Sequence, residues 1–338
     1  MEKKSFGKLP SGEKTMLYTI SDGKVTAQVT DYGANLVRLW VPDKNGELAD
    51  VVLGYKDAKG YSEDTVFLGA TVGRNSNRIK GSAVVLGNTT FALTPNEGVN
   101  NLHSGPDFFS KRMWAVERFA ENSITFRLES PNGDQGFPGN AIIKVTYTVE
   151  DVALKITYDA VSDRDTIFNL TNHSYFNMAG HDQQDLALEQ ELILPARVYT
   201  VADGEGIPTG EMRSVEGTPL DFRAPKTIGR DVGESYEALL LQGGYDHNFE
   251  VYTDPCAILT DPKSGRSMAI TTDCPGVQFY DGHFLGGQKG KDGVVYGKSS
   301  GVCLETQFYP DAIHQPQWAQ PVTKAGELYH SETIYSFK

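Results

Sequence analysis

Cysteine is scarce in this chain of 338 residues, which contains only Cys256, Cys274 and Cys303. Three cysteines at wide spacing form neither a disulfide framework nor a zinc-binding pattern. Residues 1–10 carry lysines but no apolar stretch after them, unlike a signal peptide, and no run approaches the ~18 apolar residues of a membrane span. We therefore expect a protein of the reducing cytoplasm without a membrane partner.

Positively charged residues are also fewer than negatively charged ones. Lys and Arg total 31 against 44 Asp and Glu, so the formal net charge is −13. A chain this acidic is poorly suited to polyanions, and this argues against nucleic acid and anionic lipid as partners. A glycine-rich loop between a strand and a helix is missing, which argues against a Rossmann or P-loop nucleotide site.

Alternating apolar residues are most regular at 141–160, on both sides of Glu150-Asp151. The alternation predicts an antiparallel hairpin with a two-residue turn at Glu150-Asp151. That turn would place Val149 opposite Val152, with every apolar residue of the hairpin on one buried face.

The rest of the chain also favours β structure. Its 35 Gly, 16 Pro, 16 Tyr and 16 Phe suit many short strands and tight turns. Amphipathic helices are nearly absent, and only 234–242 predicts a short one. The length alone would allow about two domains, but no shift in composition marks a linker. We therefore predict an all-β fold with few short helices, a large antiparallel β-sandwich forming a single domain over residues 1–338.

Several short runs carry more polar side chains than a strand or turn needs. Arginine and amide groups grip ligand oxygens directionally, so these runs are candidates for a binding cleft. The alternative is that they are solvated loops or, for each lone histidine, a hydrogen-bonded structural residue. The runs are 73–79, 100–105, 169–177, 243–249, 275–280 and 302–311.

Two carboxylates in these runs have competing interpretations. Glu305 follows Val302-Cys303-Leu304, which is typical of a buried strand. Its carboxylate is therefore paired, exposed after all, or functional with a perturbed pKa, and the structural interpretation is a salt bridge with an arginine. Asp246 is either a turn residue after a glycine pair or part of a site. His103, His173, His247 and the two carboxylates could supply metal ligands, but no histidine pair has helical spacing and no cysteine joins them. Spacing neither supports nor excludes a site assembled in three dimensions, and we do not expect a metal.

Taken alone, these residues indicate a cleft with imidazoles, carboxylates, amides, an arginine and aromatic rings. That mixture suits a neutral polyhydroxylated ligand such as a sugar, and leaves acid–base chemistry open.

At the same runs the sequence closely resembles the aldose 1-epimerases, also called galactose mutarotases. The resemblance extends over nearly the whole chain, and the order and completeness of its motifs make it specific. One departure is Ser104, where the family more often has glycine after the histidine. The shared motifs are Asp31-Tyr32-Gly33-Ala34, Val41-Pro42-Asp43, Val52-Leu53-Gly54-Tyr55, Gly73-Arg74, Asn77-Arg78-Ile79, Asn101-Leu102-His103, Asn169 to Asn177, Tyr245-Asp246-His247-Asn248, Gln278-Phe279-Tyr280 and Glu305 to Asp311.

The resemblance implies a single-domain β-sandwich that receives a free monosaccharide on a concave face and interconverts its α and β anomers. Galactose and glucose are the expected substrates, no cofactor or metal is implied, and we expect a monomer or weak homodimer. Glu305 would be the general base and His173 the general acid. The implied substrate contacts are Asn77, Arg78, His103, His173, Tyr175, Asp246 and Gln278.

The implied chemistry needs Glu305 ionised and His173 protonated together. Ordinary pKa values of about 4.3 and 6.5 make that pair accessible just below neutrality. Three alternatives remain: a non-catalytic sugar-binding module, an oligosaccharide hydrolase using Asp246 with Glu305, and an epimerase of phosphorylated hexoses, which would need a basic cluster.

Overall fold

A computed structural model describes residues 2–338, apart from the side chains of 184–186. Strands make up 46% of it and only two short α-helices are described, which confirms the all-β prediction. The helices are α1 (Ala58–Ser62) and α2 (Glu237–Gln242). Short 3₁₀ segments lie at Lys80–Ser82, Phe109–Lys111, Gln184–Glu189, Ile228–Arg230, Lys291–Gly293 and Ala312–His314.

The strands are short and follow one another closely along the chain. In chain order they are β1 (Glu2–Lys8), β2 (Lys14–Ser21), β3 (Thr26–Thr30), β4 (Leu36–Pro42), β5 (Leu48–Asp50), β6 (Ala70–Val72), β7 (Arg78–Ile79), β8 (Ala83–Leu86), β9 (Thr89–Ala92), β10 (Asn101–Leu102), β11 (Ala115–Phe119), β12 (Ser123–Ser130), β13 (Ala141–Glu150), β14 (Ala153–Ser162), β15 (Thr166–Ile167), β16 (Thr171–His173), β17 (Tyr175–Phe176), β18 (Glu191–Ile193), β19 (Val198–Ala202), β20 (Pro208–Ser214), β21 (Lys226–Thr227), β22 (Asp246–Glu250), β23 (Ala257–Thr260), β24 (Ser267–Thr272), β25 (Gly276–Tyr280), β26 (Gln288–Lys289), β27 (Val295–Tyr296), β28 (Val302–Gln307), β29 (Val322–Thr323) and β30 (Leu328–Phe337).

Three antiparallel sheets form the body of the fold. The largest has nine strands in the order β11-β12-β13-β14-β30-β24-β23-β18-β21. A six-stranded sheet has the order β17-β28-β25-β22-β19-β20, and a five-stranded sheet runs from β1 to β5 in sequence order. Their apolar faces meet in one continuous core that includes Val29, Leu39, Val145, Phe279 and Leu304.

The predicted hairpin forms, but its register was predicted wrongly by two residues. Val149 pairs with Leu154 rather than Val152, and the turn lies at Asp151-Val152. Both turn residues have positive φ, +52° and +60°, as a type I′ turn requires. Tertiary contacts hold this turn, because the Val152 amide donates to Asp22 Oδ2 at 3.0 Å and its carbonyl accepts from the Phe337 amide at 3.0 Å. A shift of two keeps the predicted apolar face buried.

The short helix predicted at 234–242 is present as α2, beginning at Glu237, and α1 was not foreseen. Among the residues that the structure describes, no helix is long and apolar enough to cross a membrane.

Candidate active site

The central strands of the six-stranded sheet, β22, β25 and β28, are buried on both faces, and one of these faces is largely apolar. On β22, β25 and β28 the residues Phe249, Val277 and Leu304 belong to the core. Alternate residues point the other way, because side chains alternate along a strand. This opposite face carries two cross-strand rows, Asn248–Gln278–Glu305 and Asp246–Tyr280–Cys303. A row of polar residues buried on a sheet face is a place where a polar ligand can satisfy them.

A cavity of about 190 Å³ opens over this polar face. It is lined by Thr65, Val66, Phe67, Asn77, Arg78, Glu97, Leu102, His103, His173, Tyr175, Asp246, Tyr280, Phe284 and Glu305. Seven of the eight predicted site residues are therefore brought to one cavity from five separate segments of the chain. The eighth, Gln278, lies beside it and donates from Nε2 to Asp246 Oδ1 at 2.6 Å.

His173 and Glu305 face each other at the floor of the cavity. His173 ends β16 and Glu305 lies inside β28, and His173 Nε2 is 3.6 Å from Glu305 Oε1. Their side chains are 8% and 3% exposed, so both are desolvated. Oε2 of Glu305 is buried without a hydrogen-bond partner among the described residues. The pair can therefore accept a proton at one atom and release one at a neighbouring atom.

The expected charges of this pair need a correction. Burial lowers the pKa of the His173 imidazole to about 4, although a hydrogen bond to its own backbone opposes the change. Burial raises the pKa of the Glu305 carboxyl well above its usual range; the charge of Asp246 adds to this and Arg78 opposes it. Since desolvation disfavours both charged forms, the free pair does not hold an imidazolium near neutrality, as the ordinary pKa values suggested. Burial thus favours the neutral forms of both groups, an imidazole beside a carboxylic acid.

His103 is fixed as a hydrogen-bond donor to the cavity. The backbone N–H of Asn77 donates to His103 Nδ1 at 3.1 Å, so in the neutral ring the proton must be on Nε2. Burial, together with His173 and Arg78, holds the His103 pKa well below its ordinary value, so the ring stays neutral. Ser104, at the position where glycine is more usual, has a φ of +73°. Its hydroxyl accepts a hydrogen bond from the backbone N–H of Asn75 at 2.7 Å, which stabilises this loop in its strained conformation.

A metal site is geometrically conceivable here. His103, His173 and Glu305 each offer one ligand atom, and these atoms lie within 4.8 Å of one another. A histidine that binds a metal usually donates its other ring N–H to an acceptor. His103 does the opposite, because its Nδ1 accepts a backbone N–H and its Nε2 carries the proton. The donor set therefore fits a hydroxylated ligand better than a cation.

Arg78 is held by a residue that sequence reasoning missed. Its Nε and Nη2 donate to the two carboxylate oxygens of Glu97 at 2.7 and 2.9 Å. The guanidinium is therefore locked in direction, with its charge locally balanced. Glu97 lies in the turn before Asn101-Leu102-His103, and no pattern in the sequence indicates that it would reach Arg78.

Aromatic rings form the walls of the cavity. Phe67 packs on His103 and His173 with ring centroids 4.7 and 5.6 Å apart. Phe284 is 68% exposed at the rim. Tyr280 belongs to one of the motifs shared with the family but had no predicted role, and Phe67 and Phe284 were not predicted as site residues. Such rings can cover the apolar patches of a sugar ring.

Several conspicuous polar residues of the predicted runs serve the fold. Arg74 is 1% exposed and donates to the carbonyls of Ser130 and Gly139, each at 2.9 Å. His247 is buried, with its Nε2 3.3 Å from the Ala238 carbonyl. For Arg74 and His247 the structural interpretation is therefore correct. Neither side chain lines the cavity.

A larger cavity, of about 740 Å³, is lined by residues between 217 and 234 and shares none with the site above. Most of its charges are paired with each other: Lys226 Nζ lies 3.0 Å from Asp231, and Arg223 lies 2.7 Å from Asp221. It combines no acid with a facing base, so size alone does not identify the site.

Comparison with known proteins settles the family. The sequence model of one family, aldose 1-epimerase, matches residues 16–336. The chain belongs to the aldose 1-epimerase family. This confirms the predicted resemblance, and it makes the chain an enzyme of the isomerase class that acts on carbohydrates.

Relatives in the aldose 1-epimerase family match over nearly full length. A galactose mutarotase of Mus musculus is 37% identical, with 98% of this chain and 97% of the relative covered. An aldose 1-epimerase of Haemophilus influenzae is also 37% identical, with 97% of each covered. Among solved structures, an aldose epimerase homologue from C. elegans has a TM-score of 0.87 at 34% identity, covering 95% of this chain and 99% of that one. The predicted galactose mutarotase-like sandwich is therefore confirmed.

Proposed function

We propose that this aldose 1-epimerase interconverts the α and β anomers of free aldohexoses such as galactose and glucose, with Glu305 as general base and His173 as general acid. One observation carries the proposal. A desolvated imidazole and a desolvated carboxyl, 3.6 Å apart, face a cavity of about 190 Å³. That cavity is smaller than the roughly 300–1,000 Å³ typical of drug-sized ligands, and it suits a monosaccharide.

The reaction requires one proton to leave the sugar and one to arrive. Glu305 takes the proton of the anomeric hydroxyl, and the exocyclic C–O becomes a carbonyl as the bond from the anomeric carbon to the ring oxygen breaks. The ring oxygen keeps that electron pair and receives a proton from His173 Nε2. Rotation about the bond to the neighbouring carbon presents the other face of the aldehyde. Reclosure with reversed proton roles yields the other anomer and restores the pair.

The acid–base scheme can start from either charge form of the pair. An imidazolium beside a carboxylate and a neutral imidazole beside a carboxylic acid contain the same protons. Transfer across the 3.6 Å gap converts one form into the other without exchange with water. A sugar hydroxyl that donates to Glu305 favours the carboxylate, as does the positive charge of Arg78.

Neighbouring donors can stabilise the developing charge on the sugar. His103 presents an Nε2–H to the cavity, and the guanidinium of Arg78 is held in place by Glu97. Donors fixed before the reaction starts need no reorganisation in the transition state, which is the basis of electrostatic stabilisation. Asn77, Tyr175 and Asp246 line the same cavity and are proposed as hydroxyl contacts, while Gln278 supports Asp246.

The charges of the cavity favour neutral sugars over sugar phosphates. Arg78 is the only Lys or Arg among its lining residues, and Glu97 already engages it through two hydrogen bonds. The carboxyl groups of Asp246 and Glu305 lie on the same face of the six-stranded sheet and both line the cavity. A phosphate dianion would have to approach these carboxyl groups without an unpaired cation to receive it.

Cellular location, domain organisation and assembly are also proposed. We propose a cytoplasmic location, supported by three cysteines that are all free and buried. A single domain is supported by the continuous core shared by the three sheets. A monomer or weak homodimer is proposed as the assembly, and sedimentation velocity over a range of concentrations would test it.

Polarimetry of freshly dissolved α-galactose, α-glucose, α-xylose and α-arabinose tests the proposed function. We expect the protein to speed anomeric equilibration of at least the hexoses. Equilibration no faster than in buffer for every sugar would contradict the proposal. Release of reducing ends from a disaccharide would favour a hydrolase, and binding without turnover would favour a sugar-binding module.

A further inference from the structure

Cys303 lies behind the proposed general acid, on the side away from the cavity. It is on β28, two residues before Glu305, so both side chains project from the same face of the strand. Its Sγ is 3.5 Å from His173 Nδ1, within the range of a hydrogen bond to sulfur. Cys303 is fully buried and is not among the residues that line the cavity. The sulfur therefore contacts the imidazole but does not line the cavity.

The proton-shuttling role of His173 restricts the tautomer of its ring. Nε2 must release a proton to the ring oxygen and take it back on reclosure, so it alternates between N–H and bare nitrogen. A neutral imidazole whose Nε2 is bare must carry its proton on Nδ1. Nδ1 must therefore remain protonated through the whole cycle, and Nδ1–H needs an acceptor in a buried site. Sγ of Cys303 faces that atom.

The other buried histidine of the cavity has the opposite arrangement. At His103 the group facing Nδ1 is a backbone N–H, which can only donate, so Nε2 is always the protonated nitrogen of the neutral ring. At His173 the facing group is a sulfur, which can accept. The partner of Nδ1 therefore gives the two imidazoles different roles. His103 is a fixed hydrogen-bond donor, whereas His173 can release and take back a proton at Nε2.

A thiol also differs from the carboxylate that commonly orients a catalytic histidine. A carboxylate stabilises the imidazolium and makes it a weaker acid. A neutral thiol orients the ring without that charge, and burial raises the pKa of the Cys303 thiol well above its usual range, so it stays neutral. A thiolate nucleophile, the other familiar use of a cysteine beside a histidine, is disfavoured for the same reason.

We propose that Cys303 is a positioning residue whose sulfur accepts a hydrogen bond from Nδ1–H of His173, and so keeps Nε2 as the nitrogen that exchanges protons with the sugar. This inference rests on the proposed function for its catalytic meaning. The tautomer itself can be measured without turnover, so the two can fail separately.

Long-range ¹H–¹⁵N NMR of protein labelled at histidine nitrogens reads the tautomer directly. The chain has seven histidines, and the His173 signals are assigned by their loss in His173→Asn. In the wild type we expect protonated Nδ1 and bare Nε2 for His173, and the reverse for His103. In Cys303→Ala we expect His173 to populate both tautomers, whereas Cys303→Ser, whose hydroxyl oxygen can accept the same bond, keeps the wild-type pattern.

Kinetics supply the second readout. Loss of one hydrogen bond is worth about fivefold, so Cys303→Ala should lower kcat about fivefold with little change in KM. Cys303→Ser should recover most of that loss. Cys256→Ala is the matched control, since Cys256 is another buried free thiol, in the main core and outside the cavity, and its removal should leave kcat unchanged.

Three results would overturn the inference. One is a wild-type His173 with Nε2 protonated and Nδ1 bare. Another is a Cys303→Ala protein with unchanged tautomer and kcat. The third is a Cys303→Ser protein as impaired as Cys303→Ala although its thermal midpoint equals that of the wild type. If Cys303→Ala does not fold, the wild-type and Cys303→Ser spectra still decide the matter. A wild type that shows the expected tautomer but turns over no aldose would refute the proposed function and leave the hydrogen bond standing.

Discussion

Two histidine–carboxylate pairs in this chain behave in opposite ways. On the outer face of the nine-stranded sheet, His330 Nδ1 lies 2.8 Å from Asp159 Oδ1, with the side chains 48% and 36% exposed. At the cavity floor the atoms of His173 and Glu305 are farther apart, at 3.6 Å, and both residues are buried. The hydrogen bond to Asp159 raises the pKa of His330, whereas burial lowers that of His173 to about 4.

The difference shows that burial outweighs proximity in deciding what such a pair can do. Water stabilises the ionised forms at the surface, so the closer pair is an ordinary ion pair of small consequence. Without water, neither buried partner keeps its charge easily, and the proton can pass between them or to a ligand. Acid–base chemistry is therefore expected of the longer pair only.

The largest expected effect separates the two carboxyl groups. Glu305→Gln keeps the shape of the side chain but removes the general base, so we expect kcat for anomer exchange to fall by about a hundred- to ten-thousandfold. Asp159→Asn makes the same chemical change at the surface and should leave kcat unchanged. Polarimetry on both variants, with circular dichroism to confirm folding, makes the comparison. Equal rates for the two variants would remove the distinction between the pairs.

The second prediction concerns proton affinity. An NMR pH titration should show His330 titrating above its ordinary pKa of about 6.5 and His173 near 4, a difference of more than a hundredfold in proton affinity. As pH falls from 7, His330 should gain its proton first, and His173 only when the pH nears 4. A His173 that becomes charged before His330 would show that burial does not dominate.

A third, smaller effect compares two ion pairs. Glu97 holds Arg78 beside the cavity, whereas Glu117 pairs with Lys144 at 2.8 Å on the outer sheet, where the side chains are 41% and 38% exposed. Glu97→Gln should raise KM about tenfold, because a charge-assisted hydrogen bond is worth about 1.5 kcal/mol and the freed guanidinium loses its direction. Glu117→Gln should leave KM as it is. A fall in kcat at constant KM in Glu97→Gln would instead mean that Glu97 acts in the chemical step.

The smallest effect is expected from the surface histidine. His330 has a raised pKa in the folded state, so the stability it contributes is present below its unfolded pKa of about 6.5 and is lost as pH rises through the folded value. Because the pair is largely exposed, His330→Asn should cost at most about 1 kcal/mol at pH 6 and nothing at pH 9. Urea unfolding at the two pH values measures this. A loss that grows with pH would reverse the sign of the argument.

Local patterns predicted the parts of the fold that depend on neighbours in sequence. The alternation at 141–160 was enough to identify the hairpin and its buried face, and the apolar run before Glu305 indicated a buried strand. The two-residue error in register arose because Asp22 and Phe337, both distant in sequence, fix the turn at Asp151-Val152. No local pattern reports such contacts.

For the site, too, the sequence predicted the residues but not the contacts between distant segments. Its residue types were visible in the polar runs, and their identities followed from the family resemblance. The contacts that tune them were not visible, because Glu97 reaches Arg78 across a turn and Cys303 reaches His173 from another strand. The altered pKa directions of His173 and Glu305 follow from burial, which depends on packing of the whole chain.

A crystal structure of Glu305→Gln soaked with galactose would test the central claim most directly. We expect a pyranose in the cavity of about 190 Å³, with its anomeric hydroxyl beside residue 305 and its ring oxygen within hydrogen-bond distance of His173 Nε2. A sugar bound with both oxygens turned away from these two side chains, or bound only at the larger cavity near residues 217–234, would contradict it.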